Sequence, residues 1–105
     1  MAYDVVATEL LKSEYDSTLR YLAIDLNNHA AASRFADELA KMRLLIADNP
    51  TLFGLSRHRR LREQNIRSCL VQSYLVFYRV EESCIVLLRL LHQSQAYESE
   101  RYWDR

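Results

Sequence analysis

IRSCLVQSYLVFYRVEESCIVLLRLLH, residues 66–92, is the stretch from which the fold follows. Three runs rich in aliphatic and aromatic residues, 66–72, 74–80 and 84–92, are strand material, because branched and ring side chains pack well on a pleated, half-buried surface. What separates them is a turn around Gln72-Ser73 and then Glu81-Glu82-Ser83. A parallel crossover needs about a dozen residues or more, so connections this short predict an antiparallel meander. The first turn has no Gly or Asn to mark its type. In the last run, strict alternation puts Ile85, Leu87, Arg89 and Leu91 on one side and Val86, Leu88, Leu90 and His92 on the other.

Upstream, residues 3–7 around Val5 and Val6 read as a first strand, and Thr8 is placed to cap a helix with its hydroxyl. Leu11, Tyr15, Leu19, Leu22 and Leu26 follow at spacings of 4, 4, 3 and 4, one apolar stripe of an α-helix. Asn27-Asn28 ends that helix and caps the next. A second stripe, Ala32, Phe35, Leu39, Met42 and Ile46, runs to Asp48-Asn49-Pro50, where proline stops it. Two amphipathic helices joined this closely form an antiparallel hairpin. Residues 51–64, TLFGLSRHRRLREQ, hold the single glycine and a cluster of cations and read as a loop. The tail from residue 97 reads as a short helix that packs Tyr102 or Trp103 back on the body. The expected fold is therefore α+β. An N-terminal strand and a helical hairpin precede a three-stranded antiparallel meander, all strands in one sheet with the helices on one face. One domain over residues 1–105 fits that length.

Composition narrows the function. Half of the 105 residues are hydrophobic and 27% are charged, ordinary for a folded domain. The net charge is zero, but residues 51–80 carry six Arg against Glu63 alone, so an anion-binding surface stays open. No apolar run approaches the roughly 20 residues of a membrane span. MAYDVVATEL has neither the basic start nor the apolar core of a secretory signal, so a cytoplasmic protein with reduced Cys69 and Cys84 is expected. The two cysteines lack Cys-x-x-Cys spacing, and His29 and His58 have no ligand-like neighbours, so neither a metal nor a cofactor is expected.

The order of these pieces resembles the RelE/ParE superfamily of bacterial type II toxins. The likeness covers about residues 3–97. Its carriers are Asn49-Pro50 after the second helix, Ile66-Arg67, the run from Tyr74 to Val80, and the strand that closes on Leu91-His92. It implies a small toxin with a role in plasmid stabilisation, neutralised by a cognate antitoxin. RelE-like members act as mRNA interferases on the ribosome and ParE-like members inhibit DNA gyrase, so the fold alone does not choose between them. Metal-free RNA cleavage needs a base, an acid and cations around the phosphate. At the positions where RelE-like nucleases place an Arg on the middle strands and another after the last strand, this chain has Leu75 and Ser94. His92 and Tyr97 remain as candidate catalytic residues, each with a purely structural alternative. Arg57, Arg59, Arg60, Arg62 and Arg67 are candidates for holding RNA or an acidic antitoxin segment. An alternative of a different class stands beside these: a catalytically degraded toxin that acts as a binding or co-repressor module.

Overall fold

A computed structural model describes residues 2–95 and Trp103. The expected C-terminal helix and Tyr97 lie outside the described residues. β1 (Asp4–Ala7) leads into α1 (Glu9–Arg20), which continues through a π-helical turn (Tyr21–Asp25). Then come α2 (His29–Asp48), α3 (Arg59–Glu63), β2 (Ile66–Val71), β3 (Tyr74–Val80) and β4 (Cys84–His92). The strands form one sheet in the order β1-β4-β3-β2. β2, β3 and β4 are the expected antiparallel meander, and β1 joins it parallel to β4. A helical crossover makes that parallel pairing possible.

The helix boundaries follow from the capping residues. Thr8 accepts the Leu11 amide at 3.0 Å, and Asn28 accepts the Ala31 amide at 3.0 Å. Asn27 bridges the two helices with φ 49°, a left-handed conformation that asparagine tolerates. The hairpin covers one sheet face and builds the main core. Phe35 and Ile46 are fully buried there with Val76, Tyr78, Ile85 and Leu87. Leu26, last on the first stripe, is instead 52% exposed. The reason is the π turn, where the Leu26 amide bonds the Tyr21 carbonyl at 2.9 Å, and that wider turn carries the chain out of the α-helical phase.

Two other expectations are corrected. Residues 51–64 are not all loop, since Arg59–Glu63 forms α3, seated by Leu61 (2% exposed) on the second face of the sheet. The alternation in β4 is not strict either. Phe77 pairs with Arg89 but Tyr78 pairs with Leu87, leaving Leu88 as an extra, bulged residue. The bulge reverses the phase. Ile85 and Leu87 before it, and Leu90 after it, all enter the main core, while Leu91 joins Leu61, Ile66 and Phe77 in a second cluster.

The bulge also lies where β1 ends, and α1 takes over the exposed edge of β4. The Thr8 hydroxyl donates to the Leu88 carbonyl at 3.0 Å, and Glu14 Oε1 accepts the Leu90 amide at 2.8 Å. Backbone groups that a longer β1 would have satisfied are thereby paired with helix side chains, as buried amides and carbonyls require.

Candidate functional site

The chain's cations and its histidine at the strand end are the groups with chemistry to offer, and the fold sends them to different faces. After the bulge His92 lies on the hairpin side of β4. Its ring meets Tyr74 edge-on at 5.1 Å, and Tyr74 in turn meets Phe35 of α2 at 5.3 Å. The turn that follows wraps around it. Nδ1 accepts the Ser94 amide at 3.1 Å and lies 2.8 Å from Ser94 Oγ, while the His92 amide donates to Gln95 Oε1 at 2.6 Å. An Nδ1 that accepts a backbone N–H leaves the proton of the neutral ring on Nε2. Gln93-Ser94-Gln95 therefore closes the strand, and its polar side chains satisfy the turn.

Arg57, Arg59, Arg60 and Arg62 gather on α3 and the residue leading into it, all exposed. Arg59 pairs with Glu63 one turn on at 3.6 Å, and Arg62 Nη1 donates to the Arg57 carbonyl at 2.7 Å. Arg67 is separated from them. It sits opposite Tyr78 on the hairpin face and donates to the Phe53 carbonyl at 2.8 Å, beside the bond from the Tyr78 hydroxyl to the Pro50 carbonyl at 3.0 Å. Together these bonds fasten the segment after α2 beneath the sheet. Burial raises the Tyr78 phenol, and a hydrogen bond with the Phe53 backbone and the Arg67 charge partly offset it. Of the candidates named from sequence, four arginines come together, Arg67 and His92 stand apart from them, and Tyr97 lies outside the described residues.

Sequence reasoning overlooked the cleft on the second face. A cavity of about 560 Å³ lies between the start of α1 and the sheet, lined by Leu10, Gln64, Arg79, Leu88, Arg89 and Trp103 among others. Trp103 stands edge-on to Phe77 at 5.3 Å, and the Arg89 guanidinium lies 5.8 Å from the indole centroid, a cation–π contact. A signal was present, since Arg89 interrupts an otherwise apolar strand and a charge there needs a partner. The partner is Glu14, whose Oε2 accepts Arg89 Nε at 2.8 Å and also its Nη2, with 17% and 11% side-chain exposure for the pair. Arg79 likewise meets Glu81 at 2.9 Å. Both guanidiniums in the cleft are thus matched by carboxylates. Leu75 packs into the second cluster. No group of three or more His, Cys, Asp or Glu able to hold a metal ion occurs among the described residues. The arrangement offers an apolar, aromatic cleft with balanced charge and, beside it, an exposed basic helix.

Residues 5–97 match the sequence model of a family described as the ParE toxin of the type II toxin-antitoxin system, parDE. The chain belongs to the ParE toxin family. Among solved structures, the "Chromosomal ParDE TA system from P. aeruginosa" has the same fold, with a TM-score of 0.67 and 12% identity, over 87% of this chain and 96% of that one. At that identity the likeness speaks for the fold alone. A comparison with curated proteins finds no match. Membership of the ParE family bears out the resemblance drawn from Asn49-Pro50, the β3 run and Leu91-His92, and a toxin–antitoxin family implies an antitoxin partner. No helix among the described residues of this ParE-family chain is long and apolar enough to cross a membrane.

Proposed function

We infer that this protein arrests growth by holding a macromolecular target in the cytoplasm, with DNA gyrase as the expected target, and that a cognate antitoxin neutralises it. The supporting observation is the lack of free cationic help at the end of β4 among the described residues. His92 has Nδ1 engaged by Ser94, position 75 is a packed leucine, and the arginines of the cleft on the opposite sheet face are paired with Glu14 and Glu81. Phosphate in flight needs positive charge around it, and one missing donor typically costs about 10²–10³ in rate. Binding a protein target needs an apolar cleft and a polar rim, and those are present.

Expression of the chain alone tests this reading. Growth arrest with a DNA-damage response, no new transcript ends, inhibition of supercoiling by the purified protein, and full toxicity of His92→Ala are expected. Ribosome-dependent transcript ends that disappear in His92→Ala would overturn it in favour of an endoribonuclease. Normal growth at verified protein levels, with tight binding to the product of the neighbouring gene, would favour the co-repressor alternative.

The exposed set Arg57, Arg59, Arg60 and Arg62 fits an acidic segment of the antitoxin, because Arg holds carboxylates through a planar fork of donors. Charge reversal at Arg57 and Arg60 together is expected to weaken the antitoxin complex at least tenfold and to flatten its salt dependence. An unchanged dissociation constant would place the antitoxin elsewhere.

A further inference from the structure

Trp103, the chain's single tryptophan, sits in the cleft on the second sheet face without filling it. Its indole stands edge-on to the fully buried Phe77 at 5.3 Å, and the Arg89 guanidinium lies 5.8 Å from its centroid. A cavity of about 560 Å³ adjoins it, reaching to Leu10, Gln64 and Leu88. The indole is only half-buried there, and contacts of these two kinds are individually weak. The charges of the cleft are matched without it, since Glu14 holds Arg89 and Glu81 holds Arg79. Withdrawing the indole therefore uncovers apolar surface, chiefly Phe77, and strands no guanidinium. Another apolar side chain can take the same seat at little polar cost.

The surroundings of the seat select what enters it. Leu61 of α3 belongs to the cluster on which Trp103 packs, and Gln64 at the end of α3 lines the cleft, so the exposed arginines of that helix adjoin the apolar seat. A segment that fits both surfaces carries carboxylates beside a large apolar anchor. The chain's own tail has that make-up, with Tyr97, Tyr102 and Trp103 set among Glu98, Glu100 and Asp104. We propose that this tail is a built-in competitor of the antitoxin for the cleft. Trp103 holds the seat in the free toxin, and the antitoxin's acidic segment brings an aromatic or aliphatic anchor that displaces it, a partner that rests on the reading of α3 as the antitoxin's contact. The apparent affinity of the antitoxin is then its intrinsic affinity reduced by the fraction of chains in which the seat is vacant.

Fluorotryptophan incorporated into the full chain gives a single fluorine NMR resonance, from Trp103, whatever tryptophans the partner contains. On saturation with the product of the neighbouring gene, that resonance is expected to move toward its position in the urea-unfolded chain. Trp103→Ala is expected to tighten the complex about fivefold or more, because the competitor is gone. The same variant, with an unchanged circular dichroism spectrum, should bind the apolar anion anilinonaphthalene sulfonate more tightly than the native chain by a similar factor. A resonance that stays in place in the saturated complex, or a complex that Trp103→Ala weakens, would overturn the proposal and leave the antitoxin reading standing. A gene product that does not bind at all would overturn the antitoxin reading and the displacement with it. The dye then tells the two failures apart: tighter binding by Trp103→Ala keeps Trp103 as the occupant of the seat, and equal binding removes it. The labelled chain has the native sequence, so its result decides the matter even where Trp103→Ala fails to fold.

Discussion

His92 combines catalytic potential with a structural contact. In sequence it stands where an acid or base would be useful, and in the fold its Nδ1 accepts from the turn that ends its strand. Glu14 is the opposite case, an ordinary polar residue in a helix whose two oxygens hold both Arg89 and the Leu90 amide. Removing one member of a nearly buried pair leaves the other charge unmatched, a loss of about 3 kcal/mol. Glu14→Ala is therefore expected to lower the unfolding free energy by about that amount, read as a lower urea midpoint with little change in slope, and Glu14→Gln to lose less. Cys69, 6% exposed, has its thiol pushed up from 9.0 to about 11 by burial. The folded state holds that proton more tightly than the unfolded one, so the contribution is complete below pH 9 and is lost as pH rises toward about 11. Urea midpoints measured across that window should fall with pH, and Cys69→Val should flatten the fall. Burial raises the Tyr74 and Tyr78 phenols as well, which gives the same sign at somewhat higher pH.

The elements carry their information mostly at their ends. Thr8 performs two tasks, capping α1 and bonding the carbonyl of the bulged Leu88. A cap alone is worth about 1 kcal/mol, so Thr8→Ala is expected to cost more, about 2 kcal/mol, and Thr8→Ser much less. Thermal or urea unfolding of the two variants separates the cap from the methyl group. The turn between β2 and β3 places Gln72 at φ 55°, a conformation that a residue with Cβ adopts at a cost. Gln72→Gly should relieve it and raise stability by about 0.5–1 kcal/mol, whereas Gln72→Val should lower it. Strand and helix periods were readable because each stripe is long enough to establish its phase. The π turn and the bulge at Leu88 were not readable, because each inserts a step into a periodic pattern without altering which residue types appear. Such steps arise from how one element must meet another.

At the scale of the whole molecule, the hairpin core and the smaller cluster under α3 are separate volumes on opposite faces of one sheet. Phe35→Ala, in the main core at 0% exposure, is expected to cost about 3–5 kcal/mol and to leave little folded protein at 37 °C. Apolar periodicity and turn chemistry are local properties, so the linear order of residues was enough for the α+β class, the helical hairpin, the antiparallel meander and the family likeness carried by β3 and Leu91-His92. It was enough, too, for the basic run from Arg57 to Arg62. Which face each of these groups occupies was a different matter. The extra residue at Leu88 turned His92 toward the helices, the pairing with Tyr78 drew Arg67 under the sheet, and Glu14 reached β4 across 75 positions of chain. Those placements depend on register and on contacts between distant segments, and neither leaves a periodic trace along the chain.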